Sequence, residues 1–357
     1  MGADKPFNFE RLRLLRESLG ISQTEFARRL RITQAALSKL ESGNLVPSDD
    51  LLKDISEEFG YCVEYFQKES QILPCGLVFH RKRASLPAKI RSRLEAEAKL
   101  RALDVLKIRE YADFSSNLIR RDGQTPEECA RRLRKLWKVG ANCPIDNLVE
   151  LCEKNGVLIL SFDFGTDKID GFFLSLSDSN VTFIFINDSE VFSPDRRRFS
   201  LAHELGHAVL HCDEFPSLEA EEEANNFASE FLAPKAGIAP EIRIICRGRK
   251  SISLKDLFAL KRKWKISMAA ILYRAKSLGL IDEKAYRRLC VYMSAQGYRK
   301  QEPPAGLAIE RPKGLTRLFA ECSQQAGASV RELLALPDDT FERRYGFCQS
   351  DGGKMSR

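Results

Sequence analysis

A chain of 357 residues is longer than one hydrophobic core usually grows, so we expect two or three domains. Hydrophobic residues make up 43% of it and charged residues 30%, which excludes a largely disordered protein. No basic leader followed by an apolar stretch opens the sequence, and no apolar run approaches the roughly 20 residues that cross a bilayer. We therefore expect a cytoplasmic protein that contacts no membrane.

Cysteine spacing indicates the redox state of the thiols, and the charge distribution indicates which partners the chain could bind. The ten cysteines lie between Cys62 and Cys348 without a C-x-x-C pair, which favours reduced thiols over disulfides. The net charge of +7 is unevenly distributed, because residues 241–300 hold 16 Lys and Arg against 4 Asp and Glu, a local charge of about +12. A positive surface of that size attracts a phosphate backbone.

Residues 241–300 also carry aromatic side chains between their charges. Single-stranded nucleic acid could bind there by phosphate contacts and base stacking around the cluster Lys261-Arg262-Lys263, and such binding could activate the protein. The alternative is a solvated helical face whose aromatic residues belong to the core. The aromatic residues concerned are Phe258, Trp264, Tyr273, Tyr292 and Tyr298.

The N-terminal segment, residues 7–66, is a succession of short amphipathic helices separated by small-residue turns. Ser22, Thr33 and Ser48 are favourable N-cap residues, and Ser22 also begins the S-x-x-E spacing of a capping box. The helix starts are therefore encoded locally. We expect helices near 8–18, 22–29, 33–41 and 48–58 and a last turn near 61–66.

The central part of the chain changes from helical to strand-like composition. Residues 67–87 combine Pro, Gly and Ser with a basic cluster and predict a linker, whereas residues 88–138 predict two or three long helices. A helix over 144–156 should end at Asn155-Gly156. Runs rich in Val, Ile and Phe then predict a small sheet, with the last two strands as a hairpin. These runs are 157–164, 171–177 and 181–187.

The remainder of the sequence is predicted to be helical. Pro194 opens a helix that carries three of the four histidines in the chain. A second helix over 218–232 should stop at Pro234, because proline interrupts a helix. Helical patterns return at 253–296 and 315–336.

The run His203-Glu204-Leu205-Gly206-His207 has the spacing H-E-x-x-H. Residues four apart lie on one face of a helix, so the two histidines can offer imidazole nitrogens to one ion, which predicts a Zn²⁺ site. Glu204 is then placed to act as the general base that takes a proton from the attacking water. Gly206 would let a substrate backbone or a neighbouring strand come close.

A hydrolytic zinc site usually has three protein ligands, so the third must come from elsewhere in the chain. The next helix begins with Glu221, Glu222 and Glu223, and each carboxylate could reach an ion held by the preceding helix. Asn225, one turn beyond Glu221, could hydrogen-bond the far nitrogen of a ligating histidine. We expect His211 to lie behind the ligands or to face the substrate, with direct ligation as the alternative.

Two separated motifs stand in order within roughly residues 144–236. They are Arg198-Phe199-Ser200-Leu201-Ala202-His203-Glu204-Leu205-Gly206-His207 and, after Glu221, Ala224-Asn225-Asn226-Phe227-Ala228 with Leu232-Ala233-Pro234. This pattern resembles the ImmA/IrrE family of zinc metallopeptidases. The resemblance implies a thermolysin-like zincin core in which His203, His207 and Glu221 bind Zn²⁺ and Glu204 is the base.

The same resemblance implies a narrow endopeptidase that cuts a DNA-binding repressor protein and so switches on a stress, mobile-element or phage-defence operon. One rival function is a transcription regulator whose zincin domain senses a ligand or a metal. Another is one half of a toxin–antitoxin pair. Intact Glu204 favours the peptidase, because a pure sensor has no need of a general base.

Residues 7–66 also contain a recognisable pattern: Leu12-Arg13-Leu14-Leu15-Arg16-Glu17, Ser22-Gln23-Thr24-Glu25-Phe26-Ala27, Thr33 to Gly43, and Pro47-Ser48. This pattern resembles an XRE-type helix-turn-helix, which implies that the helix from Thr33 enters the major groove of DNA. Arg31 stands where that family usually has glycine. The DNA-binding residues implied are Gln23, Gln34, Ala35, Ser38 and Lys39.

Charge leaves the partner of this N-terminal segment open. Residues 1–66 carry 9 basic and 11 acidic side chains, so the segment is not electrostatically prepared for DNA and could instead bind protein. The sequence also leaves self-association open.

The predicted fold class is α+β, with four segments along the chain. An all-helical helix-turn-helix covers 1–70, a linker and helical segment covers 71–143, and a central zincin-like domain with a small sheet and the HExxH helix covers 144–236. A basic helical region covers 237–357.

A cysteine could restrain such a peptidase. A thiolate is a strong zinc ligand and can take the position where water must bind. Cys75, between Pro74 and Gly76, is the first candidate for an inhibitory thiol, and Cys143 is the second. The alternative for either is a small buried apolar residue.

Overall fold

Contacts between residues divide the chain into two units in a computed structural model. The structure describes residues 7–67, 86–176, 179–211, 217–248 and 251–346. Within these, the first unit consists of three separate stretches, 7–67, 86–114 and 313–346, and the second unit runs from 115 to 312. The four segments drawn from the sequence stay a prediction.

The described elements confirm the α+β class, with helices around a three-stranded sheet. The helices are α1 Phe9–Ser18, α2 Gln23–Arg29, α3 Gln34–Glu41, α4 Asp49–Phe59, α5 Ala88–Ile108, α6 Pro126–Leu136, α7 Leu148–Lys154, α8 Pro194–Leu210, α9 Leu218–Leu232, α10 Lys235–Cys246, α11 Leu254–Trp264, α12 Met268–Ser277, α13 Glu283–Ala295, α14 Gly314–Ala326, α15 Val330–Leu334 and α16 Asp338–Tyr345. The strands are β1 Val157–Phe162, β2 Gly171–Leu176 and β3 Val181–Asn187. A short 3₁₀ helix spans Val63–Gln67.

Local capping explains where α2, α3 and α4 begin. The side chains of Ser22, Thr33 and Ser48 each accept the backbone N–H three residues further on, as the sequence predicts. Only half of the expected capping box forms at Ser22, because the carboxylate of Glu25 pairs with Arg28 and Arg29 instead. That pairing holds the pKa of Glu25 at about 2.

A buried polar cluster fixes α16 within the first unit. Arg344 is 1% exposed, and its guanidinium contacts the carboxylate of Asp104 on α5 at 3.3 Å. The hydroxyl of Tyr345 donates to the same carboxylate at 2.9 Å. A charge at this depth is tolerated only when it is paired, so the cluster ties the C-terminal stretch of the unit to α5.

The sheet of the second unit has the order β1-β3-β2. β2 pairs with β3 in antiparallel fashion, with Gly171 opposite Ile186, as expected for the predicted hairpin. β1 runs parallel to β3, with Val157 opposite Thr182. Every residue of the central strand β3 is buried, which agrees with the apolar run at 183–186 and includes the polar residues Thr182 and Asn187. β2 is therefore an edge strand, and α8 packs against it.

Two properties of the described helices and cysteines concern length and pairing. None of the helices in the described ranges is both long and apolar enough to cross a bilayer. The seven cysteines that the structure describes are free thiols.

Arg31 has a left-handed backbone, with φ at 54°. It follows α2, where its N–H bonds to the carbonyl of Arg28 and the N–H of Ile32 bonds to that of Ala27. This is the helix ending that usually takes glycine, because an L side chain costs about 1–2 kcal/mol in this region.

We expect Arg31→Gly to raise the free energy of unfolding by about 0.5–1 kcal/mol, since the relief of backbone strain exceeds the extra unfolded-state entropy of glycine. Urea titration of the full chain measures it. The control is Lys53→Gly in the exposed middle of α4, which should lower the free energy of unfolding by about 1 kcal/mol. Equal destabilisation by both substitutions would contradict the strain assigned to Arg31.

Candidate metal centre

Three side chains from two consecutive helices converge on one point. His203 and His207 lie on α8, and Glu221 lies in the first turn of α9. The two histidine Nε2 atoms are 3.0 Å apart, and each is 3.6 Å from an oxygen of Glu221. One nitrogen or oxygen atom of each residue lies within 4.8 Å of the other two, so all three could hold the same ion.

The donor set fits Zn²⁺. Ligand atoms at the corners of a tetrahedron lie about 3.3–3.4 Å apart when the metal–ligand bonds are about 2.0–2.1 Å, and the separations here are close to that value. His207 is fully buried. Burial, together with the neighbouring His203 and His211, holds the pKa of His207 well below its ordinary value. The imidazole is therefore neutral, the form that can bind a metal.

Glu204 lies beside this group and against the start of the edge strand β2. It is 8% exposed, and a Cβ atom added to Gly171 would come within 3.3 Å of its Cγ atom and 2.9 Å of the carbonyl oxygen of Phe185. Glycine at position 171 thus leaves space for the Glu204 side chain. Sequence reasoning missed Gly171, although a glycine at the first position of an otherwise bulky, buried strand was a visible signal.

Gly206 brings α8 and α9 together. A Cβ atom at this position would meet the ring of Phe227 at 2.9 Å and the carbonyl oxygen of Ala224 at 3.3 Å, and both belong to α9. The expectation that a substrate backbone or a strand would approach Gly206 is therefore wrong. A helix occupies that space, because the apolar face of α9 packs directly on the helix that carries the histidines.

Polar groups contact both histidines from the side away from the candidate centre. Nδ1 of His203 lies 3.0 Å from Oδ1 of Asn225, and Nδ1 of His207 lies 3.0 Å from Nδ1 of His211. These contacts would fix the orientation of the imidazole rings. His211 is thus behind His207 and not among the three converging side chains.

The three carboxylates weighed as alternative ligands point in different directions. Glu221 faces the histidines, whereas Glu222 is exposed. Glu223 accepts from Nε2 of His211 at 2.8 Å, and two nitrogens of Arg121 donate to it at 2.7 Å each. The Arg121 guanidinium, with His211, holds the pKa of Glu223 below its ordinary value. No sequence pattern pointed to Arg121.

A cleft of about 1430 Å³ lies over the candidate centre. Its walls include His203, Glu204 and Glu221, the start of β2, and most of the extended stretch 301–309. This volume is large enough for a peptide, because small-molecule pockets range from about 300 to 1,000 Å³.

Two glutamates hold the stretch 301–309 in place. Glu302 accepts the first two backbone N–H groups of α12, at 2.7 and 3.0 Å. Glu310 accepts the first two of α7, at 2.8 and 3.1 Å, and pairs with the buried Arg198. A carboxylate at a helix N-terminus is stabilised by the unpaired N–H groups and by the helix dipole. Neither contact was visible in the sequence.

Comparison with protein families gives two matches. Residues 152–276 match the IrrE N-terminal-like domain of the M78 peptidase family, and residues 12–66 match a helix-turn-helix family. The chain joins a helix-turn-helix domain to an M78 peptidase domain. The M78 match includes the three converging side chains and continues to α12, further than the motifs at 198–234. A search of curated proteins finds no match.

The two domains together are those of a DNA-binding transcription regulator with an IrrE/ImmA-type metalloprotease domain. In the helix-turn-helix domain, Gln34, Ala35 and Lys39 are exposed on α3, whereas Gln23 and Ser38 are partly buried. The amide of Gln34 donates to the side-chain oxygen of Gln23 at 2.7 Å. This contact orients both amides at the N-terminal end of α3.

A partly buried network supports those two amides. The Gln23 amide donates to Glu41 at 2.8 Å, and Nε of Arg16 donates to the same carboxylate at 2.5 Å. Glu41 is 6% exposed. The ion pair therefore links α1 to α3 and holds the α2 side chain that contacts Gln34.

The structure corrects part of the nucleic-acid hypothesis for residues 241–300. Lys261, expected at the surface, is 3% exposed and pairs with Asp195 at 3.1 Å and Glu302 at 2.8 Å. Trp264 is completely buried. Both side chains therefore belong to the interior of the second unit and cannot contact nucleic acid.

The other residues of that hypothesis divide between the core and the surface. Phe258 and Tyr298 are partly buried and pack against the core. Arg262 and Lys263 are exposed. Tyr273 and Tyr292 also remain at the surface, at 45% and 51% exposure. A stacking surface in this region would depend on these two tyrosines.

Of the two candidate inhibitory thiols, the structure describes only Cys143. Cys75 lies outside the described residues. Cys143 is exposed, and its sulfur lies 3.6 Å from Oδ1 of the adjacent Asn142. None of the described residues that line the cleft over the candidate centre is a cysteine.

We expect Gly206→Ala to lower the free energy of unfolding by about 1–3 kcal/mol, because its methyl group would force α8 and α9 apart. Thermal or urea unfolding of the full chain measures the loss. Adding Phe227→Leu should restore part of the stability, since it removes the ring that the methyl group meets. Strictly additive losses in the double variant would show that the two residues do not interact.

Proposed function

We propose that this chain is a Zn²⁺-dependent endopeptidase that cleaves a DNA-binding repressor protein and so relieves repression of a stress, mobile-element or phage-defence operon. The main support is the arrangement of His203, His207 and Glu221 with Glu204 beside them, at an open cleft. Two imidazoles and a carboxylate are a donor set of hydrolytic zinc enzymes, and they leave one position for water.

Each residue has a distinct role in the proposed reaction. His203, His207 and Glu221 would hold Zn²⁺, which when bound supplies Lewis-acid polarisation of the scissile carbonyl. Glu204 takes a proton from the attacking water and passes it to the leaving amine, so that the C–N bond breaks to give a free carboxyl and a free amino terminus. Asn225 and His211 hold the two histidine rings in orientation.

The second candidate function is a DNA-binding regulator whose zincin domain only senses a ligand or metal. The helix-turn-helix match favours DNA binding, and it is compatible with either function. The position of Glu204 favours the peptidase, since a sensor site needs the ligands but not a carboxylate next to them. The two functions predict different results for a Glu204 variant: a peptidase would lose activity, whereas a sensor would not need this residue.

We expect Glu204→Gln to retain Zn²⁺ but to reduce cleavage of the repressor by about 100- to 10,000-fold, because it removes only the proton-accepting group. His203→Ala should lose both metal and activity. Metal analysis of the purified chain and fragment analysis of the product of the adjacent regulatory gene measure the two properties.

Glu222→Gln is the matched control, because Glu222 is an exposed cleft residue one position away from Glu221. It should leave the metal content unchanged. Wild-type protein purified without chelators and free of zinc would refute the metal assignment. Repressor cleavage by Glu204→Gln at the wild-type rate would favour the sensor.

For the helix-turn-helix domain, the probe is duplex DNA from the promoter region upstream of the gene for this chain. Lys39→Ala should reduce the slope of log affinity against log salt concentration by about 1, the value for one phosphate contact. Gln34→Ala should weaken binding by about 1–3 kcal/mol if that amide contacts a base. Lys53→Ala, exposed on α4, is the control and should bind normally. Fluorescence anisotropy over a series of salt concentrations measures both effects. Wild-type binding by both α3 variants would favour a protein partner for this domain.

A further inference from the structure

Four polar side chains form a continuous chain that ends on one of the candidate zinc ligands. Nδ1 of His207 lies 3.0 Å from Nδ1 of His211. Nε2 of His211 lies 2.8 Å from a carboxylate oxygen of Glu223. Arg121 donates to both oxygens of that carboxylate at 2.7 Å. The segment that supplies Arg121 precedes α6, far from the metal-binding motif in the sequence.

The order of donors and acceptors along this chain is fixed at its Arg121 end. A guanidinium only donates and a carboxylate only accepts, so Glu223 must accept a hydrogen bond from His211 as well as from Arg121. With a single proton on its ring, His211 therefore carries that proton on Nε2 and presents a lone pair at Nδ1. His207 must then donate from Nδ1, which leaves its Nε2 atom unprotonated.

That result matters because Nε2 of His207 is the atom that faces His203 and Glu221. The opposite tautomer would direct an N–H group at the position of the ion and prevent ligation. A histidine whose partner can accept or donate has no such preference, whereas the fixed charge of Arg121 makes one direction favourable.

We infer that Arg121 and Glu223 are positioning residues that act through His211 to select the metal-binding tautomer of His207. This inference rests on the proposed zinc site, but it concerns which ring nitrogen of His207 is protonated, and that can be measured without metal.

Hydrogen bonds also connect the segment that contains Arg121 to α8, the helix that carries His207. The backbone N–H of Arg121 donates to the carbonyl of Val209 at 3.1 Å, and Nη1 of Arg120 donates to the carbonyl of Ala208 at 2.9 Å. Both carbonyls belong to the last turn of α8, where they have few partners within the helix. Arg121 is thus bonded to a carbonyl only two residues after His207 on the same helix.

The test uses the full-length chain as wild type and as Arg121→Ala, Glu223→Ala and Arg121→Lys. Long-range ¹H–¹⁵N correlation spectra of the metal-free protein distinguish the two imidazole tautomers. We expect His207 to be protonated on Nδ1 in the wild type. The Nε2-protonated form should appear in Glu223→Ala, which removes the acceptor of His211, and in Arg121→Ala, where the carboxylate loses the two hydrogen bonds that hold it against His211. Arg121→Lys should retain the wild-type tautomer, because a lysine ammonium can still donate to the Glu223 carboxylate and hold it against His211.

Zn²⁺ affinity, measured by competition with a chromophoric chelator, is the second readout. Loss of a residue that supports a metal ligand typically costs about 10- to 100-fold in affinity, and we expect that range for the two alanine variants. Arg121→Lys should recover most of the affinity. A variant that merely loosens the fold would not be rescued in this way.

Arg120→Ala is the matched control, because Arg120 bonds to the end of α8 and to Ser175 but lies outside the chain of four side chains. It should leave the His207 tautomer unchanged. An unchanged tautomer in both alanine variants, or the same change in Arg120→Ala, overturns the inference. Wild-type protein that binds no Zn²⁺ would instead refute the proposed function, and the tautomer spectra would still decide the role of Arg121.

Discussion

The close packing of α8 on α9 is the constraint on which the candidate centre depends. Two of its side chains come from one helix and the third from the other, so the distance between the helices sets whether one ion can meet all three. Gly206 permits the approach, and the ring of Phe227 fills the space that a larger residue would take. At the far end of α9, Glu230 forms a buried ion pair with Arg274 of α12. The helix is therefore held at both ends.

Sequence reasoning could place His203 and His207 side by side because both lie on a single helix. The four-residue spacing of His203 and His207 alone places them on one face, whatever surrounds the helix. The position of the third candidate ligand depends on the rotation of α9 against α8, which spacing does not define. Successive residues of a helical turn point in different directions, so only packing distinguishes Glu221, which faces the histidines, from Glu223, which faces His211. The resemblance to a family supplied the choice that periodicity could not.

The interactions that sequence reasoning missed join residues far apart in the chain. Lys261 looked like part of a surface cluster, but its partners Asp195 and Glu302 are 66 and 41 residues away. Arg344 and Asp104 are separated by 240 residues, so nothing local indicated that the last helices belong to the same unit as the helix-turn-helix. Helix starts were predictable because Ser and Thr caps act over three residues. Burial of a charge depends on the final contacts.

The stretch 301–309 takes part in two features of the structure. It lines the cleft over the candidate centre, and through residues 310–313 it continues directly into the C-terminal part of the other unit. That C-terminal part is anchored by the buried contact of Arg344 with Asp104. A break in the stretch would therefore not release the part of the chain that follows it. Such a nicked protein would keep its mass and its retention volume under native conditions, and only denaturing electrophoresis would show two pieces.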